Sequence, residues 1–140
     1  MSDDAESPGR RMGRQVLGDK WDRIEKMLVE LNPDLAGYVR DFAYGEVYAR
    51  PGLGLREREL ISMACLAVQR LPDQLKTHVH GALNAGVKPD EIREAFIHMA
   101  LYAGFPTALA GLKVAEEVIR EVQAPEYSPL EAQDKGRSRS

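Results

Sequence analysis

The chain has 140 residues, with 19 basic and 22 acidic side chains and a formal net charge of −3 at pH 7. This length suits one domain, and the charge balance excludes the strongly basic surface that marks a nucleic-acid-binding protein. A single cysteine, Cys65, rules out an intrachain disulfide, and neither a signal-peptide pattern nor an apolar run of membrane-spanning length is present. We therefore expect a cytoplasmic protein without a membrane span.

The N-terminal part predicts short helices separated by strong breaks. Residues 1–8 are acidic and small and end in proline, so we expect them to be disordered ahead of a helical domain over 9–122. One short amphipathic helix is predicted over 10–17 and a second over 19–31, where an aspartate precedes apolar residues at helical spacing. An Asn-Pro break then opens a third predicted helix over 34–49.

The C-terminal part follows the loop 50–54, whose sequence RPGLG is rich in turn-forming residues. Four further helices are predicted, over 55–69, 74–85, 89–102 and 107–122. Residues 123–140 show no periodicity, and we expect them to form a mobile tail. No segment has the alternating pattern of a strand, so the predicted class is all-α, with six to seven helices.

The fourth predicted helix is apolar around its whole circumference. Residues 60–68 read LISMACLAV, in which Ser62 is the only polar residue. Such a helix is normally buried on all sides, and so small a domain cannot easily cover it alone. We therefore expect a homo-oligomer in which another subunit covers part of this helix. We also expect Cys65 to be a buried small hydrophobe rather than a reactive thiol.

Two histidines, His78 and His80, lie in the fifth predicted helix. Residues two apart on a helix point about 200° away from each other, so this pair cannot bind one metal ion and we expect no metal site. His78 shares the inward face, where it is either a hydrogen-bonded core histidine or a functional group, and His80 lies nearer the boundary. For His98, in the sixth predicted helix, we favour a structural role.

Charged side chains offer two further kinds of candidate. Glu59 begins the apolar fourth helix, where it is either stabilised by the helix dipole or is a partly buried carboxylate able to exchange protons. Arg11, Arg14, Arg50 and Arg58 are candidate ligands for an anionic substrate. The competing interpretation of each arginine is a solvated surface charge.

Three segments carry a resemblance to a known family: the loop Arg50–Gly54, the stretch Leu75–Gly86 and the sequence YAGFP at Tyr102–Pro106. In this order and spacing they resemble the carboxymuconolactone decarboxylase family, whose small helical fold is shared with the alkylhydroperoxidase D proteins. The peroxidases carry a C-x-x-C pair one turn before the histidine, and the matching positions here are Leu71 and Gln74. The resemblance therefore implies the decarboxylase branch and makes a thiol peroxidase a poor alternative.

The resemblance implies a reaction and an assembly. The reaction is the cofactor-free decarboxylation of 4-carboxymuconolactone, a small anionic lactone, to β-ketoadipate enol-lactone in aromatic-compound catabolism. The assembly is a homohexamer, a ring of three dimers with an alkylhydroperoxidase D-like subunit. Two alternatives stay open, namely a family member that acts on a different small cyclic or quinonoid acid, and a non-catalytic helical oligomer.

The resemblance also implies roles for six residues. Catalytic roles fall to His78, Glu59 and Tyr102, with His78 as acid or oxyanion donor. Substrate-binding roles fall to Arg14, Arg50 and His80. Many decarboxylases carry an arginine at the position of His80. If that arginine binds a substrate carboxylate, this chain has changed or lost the contact.

Overall fold

The structure, a computed structural model, describes residues 6–123, which form helices joined by short turns and contain no β-strand. The predicted all-α class is therefore confirmed. The N-terminal helices are α1 Pro8–Leu17, α2 Trp21–Leu31 and α3 Pro33–Gly37, with a short 3₁₀ turn, Gly18–Lys20, and a π-helix, Tyr38–Val47. The C-terminal helices are α4 Leu55–Val68, α5 Pro72–Asn84, α6 Pro89–Ala103 and α7 Phe105–Gln123. Over 6–123, no helix combines the length and apolarity needed to cross a membrane.

Helix α1 begins two residues before its predicted start. Pro8 occupies the first turn, where its missing N–H costs nothing, and the Ser7 side chain accepts a hydrogen bond from the Arg10 N–H. The predicted disordered start and mobile tail lie outside the described residues, apart from 6–8 and Gln123, which ends α7.

The predicted third helix is not a continuous α-helix. After one turn of α3 the backbone hydrogen bonds lengthen to the π pattern, which ends where the Tyr48 N–H donates to the Ala43 carbonyl. In this wider helix, residues four apart lie almost above one another. The rings of Tyr44 and Tyr48 accordingly stack, with 4.9 Å between their centroids.

The larger core belongs to the C-terminal bundle, which we define as α4–α7. Its central side chains are fully or almost fully buried, and they come from all four helices: Met63, Leu75, Val79, Ile92, Phe96, Ala115, Val118 and Ile119. Helices α6 and α7 approach closely at Gly111, where an added Cβ would lie 2.6 Å from the Phe96 ring. Dense packing of this kind leaves little tolerance for added volume.

The N-terminal layer, which we define as α1–α3 with the π-helix, has a smaller core. Its buried apolar cluster consists of Val16, Leu17, Trp21 and Tyr44. Trp21 is fully buried against α1 and makes an edge-on contact with Tyr44, with 5.0 Å between ring centroids. Other large apolar side chains of the layer are exposed in the single chain, among them Met27, Leu31, Leu35, Tyr38 and Phe42.

Helix α4 is only partly covered by its own chain. Met63 and Ala67 are buried, whereas Ile61, Cys65 and Val68 are exposed. The expectation of a buried Cys65 is therefore wrong for the single chain. The physical reason is that an apolar circumference has more area than the neighbouring helices can cover, so one side of α4 faces an open groove beside α6.

Candidate active site

Glu59 is the one fully buried charged side chain in the described part of the chain. It lies near the start of α4 and faces α5, where Gly81 leaves space for its carboxylate. A Cβ at residue 81 would lie 2.3 Å from Glu59 Oε2, so only glycine lets the two helices approach with this carboxylate between them. Burying a carboxylate is costly unless hydrogen bonds satisfy it, and its partners therefore matter.

His78 supplies one of these partners from α5. Its Nδ1 lies 2.9 Å from Glu59 Oε2. Because an ionised carboxylate only accepts hydrogen bonds, Nδ1 carries the proton and Nε2 is left for another partner. The imidazole is not packed solid, since 18% of the side chain is exposed. A carboxylate at Nδ1 fixes the tautomer and the orientation of the ring, an arrangement suited to acid–base chemistry.

Tyr48 supplies the second partner, from just beyond the π-helix. Its hydroxyl donates to Glu59 Oε1 over 2.7 Å and lies 3.1 Å from Ser62 Oγ. Burial, with a smaller contribution from the Glu59 charge, raises the pKa of Tyr48 above its usual range, so the phenol stays protonated. We call Tyr48, Glu59, Ser62 and His78 the polar cluster. It joins the N-terminal layer to the C-terminal bundle.

Two members of the polar cluster, Tyr48 and Ser62, are missing from the sequence-based candidates. Ser62 did carry a signal, because it is the only polar residue in the apolar run of α4 and lies one turn after Glu59. Tyr48 carried none, since its contact with Glu59 bridges two helices across the 50–54 loop. Such contacts depend on tertiary packing that helical periodicity does not describe.

His80 is turned towards a different part of the molecule. Its Nε2 lies 3.8 Å from Glu121 Oε2 at the end of α7. Burial lowers the pKa of His80, and the positive charge of Lys20 adds to this effect. The two histidines thus contact carboxylates on different helices. No three metal-ligating side chains cluster in the part of the chain that the structure describes.

Arg14 and Arg50, the two arginines with an implied substrate-binding role, lie apart from the polar cluster's own hydrogen bonds. Arg14 pairs with Asp22, 2.8 Å away, and with Glu6. Arg50 lies in the exposed loop between Tyr48 and Glu59, and its carbonyl accepts a hydrogen bond of 3.1 Å from Arg58. Arg58 therefore stabilises this loop through hydrogen bonds to its backbone.

Tyr102 lies in the groove between α4 and α6, not in the polar cluster. The groove has a volume of about 980 Å³ and a mainly apolar lining that includes Leu60, Cys65, His98 and Tyr102. Neither Glu59 nor His78 is among the residues that line this groove. The single chain therefore does not unite Tyr102 with the other two predicted catalytic residues.

Comparison with known proteins gives a consistent result. The sequence model of the carboxymuconolactone decarboxylase family matches residues 33–117. The chain is 38% identical to a 4-carboxymuconolactone decarboxylase of Acinetobacter baylyi over 120 residues, which cover 84% of this chain and 90% of that protein. It is 31% identical to a nitrosuccinic acid decarboxylase of Metarhizium robertsii over 117 residues, covering 81% of this chain and 80% of that one.

Proposed function

This chain belongs to the carboxymuconolactone decarboxylase family, and we propose that it is a carboxy-lyase in which Glu59 and His78 form the catalytic pair. The observation that carries the proposal is the 2.9 Å contact between a fully buried carboxylate and a partly exposed imidazole. The preferred substrate is 4-carboxymuconolactone and the product β-ketoadipate enol-lactone, in aromatic-compound catabolism in the cytoplasm. The 38% identity to an enzyme named for this activity supports that choice.

The chemistry needs no cofactor, because the substrate is its own electron sink. When the bond to the carboxylate breaks, carbon dioxide leaves and the electron pair moves through the double bond to the lactone carbonyl. The resulting 2-oxyfuran dienolate must then be stabilised and protonated on carbon. The protein has to hold the substrate's negative groups, stabilise the dienolate oxygen and deliver one proton.

His78 is the proposed proton donor. With Nδ1 held by Glu59, a protonated His78 presents Nε2–H to the dienolate, and the neutral ring regains its proton from water. Glu59 orients the ring and stabilises the imidazolium, as the carboxylate does in other carboxylate–histidine pairs. Tyr102 is assigned no step inside one chain, because it lies in the α4–α6 groove; a role there requires a second subunit.

Arg50 is the preferred clamp for the substrate carboxylate. Its loop joins the two elements that deliver Tyr48 and Glu59, and Arg58 fixes that loop through its main-chain carbonyls. Arg14 is a weaker candidate, because two carboxylates already compensate its charge. His80 contributes through substrate specificity rather than through the proton transfer.

A different small acid is the second candidate substrate, and one observation favours it. The chain is also 31% identical to a protein named nitrosuccinic acid decarboxylase. In nitrosuccinate the nitro group stands on the carbon that loses carbon dioxide, so it can take up the electron pair as the lactone does. Both substrates therefore suit an enzyme that supplies only binding and a proton.

A spectrophotometric assay with each acid tests the proposal. Wild-type protein should consume 4-carboxymuconolactone faster than nitrosuccinate, and His78→Gln should lower kcat by about 10²- to 10⁴-fold. His80→Gln is the matched comparison, and it should raise KM more than it lowers kcat. Equal kcat in His78→Gln and wild type would exclude the catalytic pair. No turnover of either acid by wild-type protein would exclude both candidate substrates.

The proposal includes a homohexamer built as a ring of three dimers. Two separate apolar surfaces support it, one on the N-terminal layer around Tyr38 and Phe42, the other on the C-terminal bundle around Ile97, Leu101 and Tyr102. A ring of dimers needs two kinds of interface, and each surface can form one. Exposed apolar area costs roughly 25 cal/mol per Å², which favours covering both.

Sedimentation at micromolar concentration tests this assembly. Phe42→Glu and Leu101→Glu each place a charge on one of the two surfaces. Each variant should therefore reduce the hexamer to a smaller species, and the double variant should be a folded monomer. Lys113→Glu, on the exposed side of α7, is the control for an added negative charge. A wild-type monomer with full activity would exclude the assembly.

A further inference from the structure

Tyr48 has no role in the proton transfer described above, yet it holds one oxygen of the buried carboxylate. We propose that Tyr48 is a positioning residue which, together with Ser62, orients Glu59 towards His78. This inference rests on the proposed Glu59–His78 pair and adds the device that prepares it. The geometry that supports it is a continuous line of hydrogen bonds, of 3.1 Å, 2.7 Å and 2.9 Å, from Ser62 through Tyr48 and Glu59 to His78.

The direction of each hydrogen bond follows from the chemistry of the groups. An ionised Glu59 can only accept, so the single proton of the Tyr48 hydroxyl points to Oε1 and the Nδ1 proton of His78 points to Oε2. The Tyr48 oxygen is then an acceptor, and Ser62 must be the donor to it. All three donors are therefore aligned towards the carboxylate, and each strengthens the next.

Packing keeps the Tyr48 hydroxyl in place. Its ring stacks on Tyr44 at a centroid distance of 4.9 Å and an interplanar angle of 19°, and Tyr44 in turn packs against the buried Trp21. On the other side, Glu59 Oε2 lies against Gly81 of α5, where there is no room for a Cβ. The carboxylate is thus confined between an aromatic stack from the N-terminal layer and a helix of the C-terminal bundle.

Towards Glu59, the Tyr48 hydroxyl acts only as a hydrogen-bond donor. Burial raises the pKa of its phenol, and the charge of Glu59 raises it further, so it does not compete with His78 for protons in the working range. Serine at 62 extends the line by one donor without adding a titrating group. Burial, and less strongly the Glu59 charge, also raises the pKa of Tyr44, so this neighbouring phenol stays neutral as well.

Tyr48→Phe tests the inference, because it removes the hydroxyl and keeps the stacked ring. Loss of one hydrogen bond to the charged carboxylate should lower kcat by about tenfold with little change in KM. The ionised carboxylate also loses a donor, so the acidic limb of the kcat/KM profile should move to higher pH. Ser62→Ala should cause both changes in the same direction but to a smaller extent.

Tyr44→Phe is the control, since it removes a hydroxyl from the adjacent ring, which donates no hydrogen bond to Glu59. It should keep wild-type kcat and pH profile. Titration of the ¹⁵N-labelled His78 ring gives a readout that needs no substrate. In Tyr48→Phe the midpoint should move to higher pH, because a carboxylate with one donor fewer stabilises the imidazolium more strongly; in Tyr44→Phe it should not move.

The outcomes separate this inference from the proposed function. If Glu59→Gln and His78→Gln lose turnover while Tyr48→Phe keeps wild-type kcat, pH profile and ring titration, only the positioning role is overturned. If all of these variants retain wild-type turnover, the catalytic pair itself is overturned. If Tyr48→Phe does not fold, unchanged kinetics and an unchanged ring titration in Ser62→Ala overturn the proposed line of donors.

Discussion

The N-terminal layer and the C-terminal bundle differ in how much of their apolar surface they bury within the single chain. The bundle surrounds a continuous core to which all four of its helices contribute, whereas the layer buries a small cluster around Trp21 and leaves much of its apolar surface exposed. The polar cluster lies where the two regions meet, with Tyr48 arriving from one side and Glu59, Ser62 and His78 from the other. In the function proposed above, the bundle supplies the catalytic pair Glu59 and His78, and the layer delivers Tyr48, which orients the carboxylate.

The largest predicted effect compares the anchors of the two cores. Phe96→Ala and Trp21→Ala should each lower the free energy of unfolding by about 3–5 kcal/mol, measured by urea denaturation at one protein concentration. The denaturant slope, m, should separate them. It should be unchanged in Phe96→Ala and reduced in Trp21→Ala, because the small layer then comes apart before the bundle unfolds.

Circular dichroism at 222 nm, which reports helix content, provides the control for this prediction. In Trp21→Ala the first transition should remove only the part of the signal that belongs to the layer. A single sharp transition with the wild-type m value in both variants would show that the two regions unfold as one unit. The distinction drawn between their cores would then not hold.

The next effect distinguishes packing in the site from packing in the core. Gly81→Ala and Gly111→Ala make the same change in buried helical glycines, and an added Cβ would lie 2.3 Å from Glu59 Oε2 in the first and 2.6 Å from Phe96 in the second. Each should lower stability by about 1–3 kcal/mol from overpacking, reduced by the better helix propensity of alanine. Only Gly81→Ala should also lower kcat, by about tenfold, because it displaces the carboxylate.

Steady-state kinetics and thermal unfolding of the two alanine variants check this prediction together. A loss of kcat in Gly111→Ala equal to that in Gly81→Ala would mean that general softening of the bundle, not the position of Glu59, limits turnover. Equal stability losses with unequal kcat would instead assign the activity loss to the site.

The same division between regions explains what the sequence could and could not predict. In the bundle, the four predicted helices agree with the structure to within about two residues, because long segments rich in apolar residues are bounded there by Gly or Pro breaks. In the layer, a single helix was predicted over 34–49, but the structure has a short α-helix followed by a π-helix. The hydrogen bonds of a π-helix join residues five apart, and α-helical periodicity does not predict this spacing.

The candidate site divides in a similar way. Residue patterning left structural alternatives open for Glu59 and His78, and the family resemblance assigned both of them catalytic roles. Neither predicted their contact or the part of Tyr48, which depends on how the layer packs on the bundle. Cys65 was predicted to be buried but is exposed in the single chain, since helical patterning cannot distinguish a surface covered by the same chain from one left exposed in it.

The smallest predicted effect concerns one carboxylate in each region. Hydrogen bonds from Arg93 lower the pKa of Glu116 and tie α6 to α7, whereas Arg40 lowers the pKa of Asp41, its neighbour in sequence. A carboxyl group whose pKa is lowered by folding stabilises the protein above its unfolded pKa, and this contribution is lost as the pH falls through the folded value. Both pairs are partly exposed to solvent, so both contributions are small and weakened by salt.

Because the two pairs differ in sequence separation, the two carboxylates should nevertheless contribute unequally to stability. Arg40 and Asp41 remain adjacent in the unfolded chain, so folding changes their interaction little, whereas Arg93 and Glu116 meet only in the folded bundle. Glu116→Gln should therefore lower the melting temperature at pH 7 more than Asp41→Asn does, and the difference should vanish at acidic pH, where the wild-type carboxyl groups are also neutral. A greater loss of melting temperature in Asp41→Asn at pH 7 and low salt would contradict this argument. It would show that the layer, with its small apolar core, depends on surface charges for its stability.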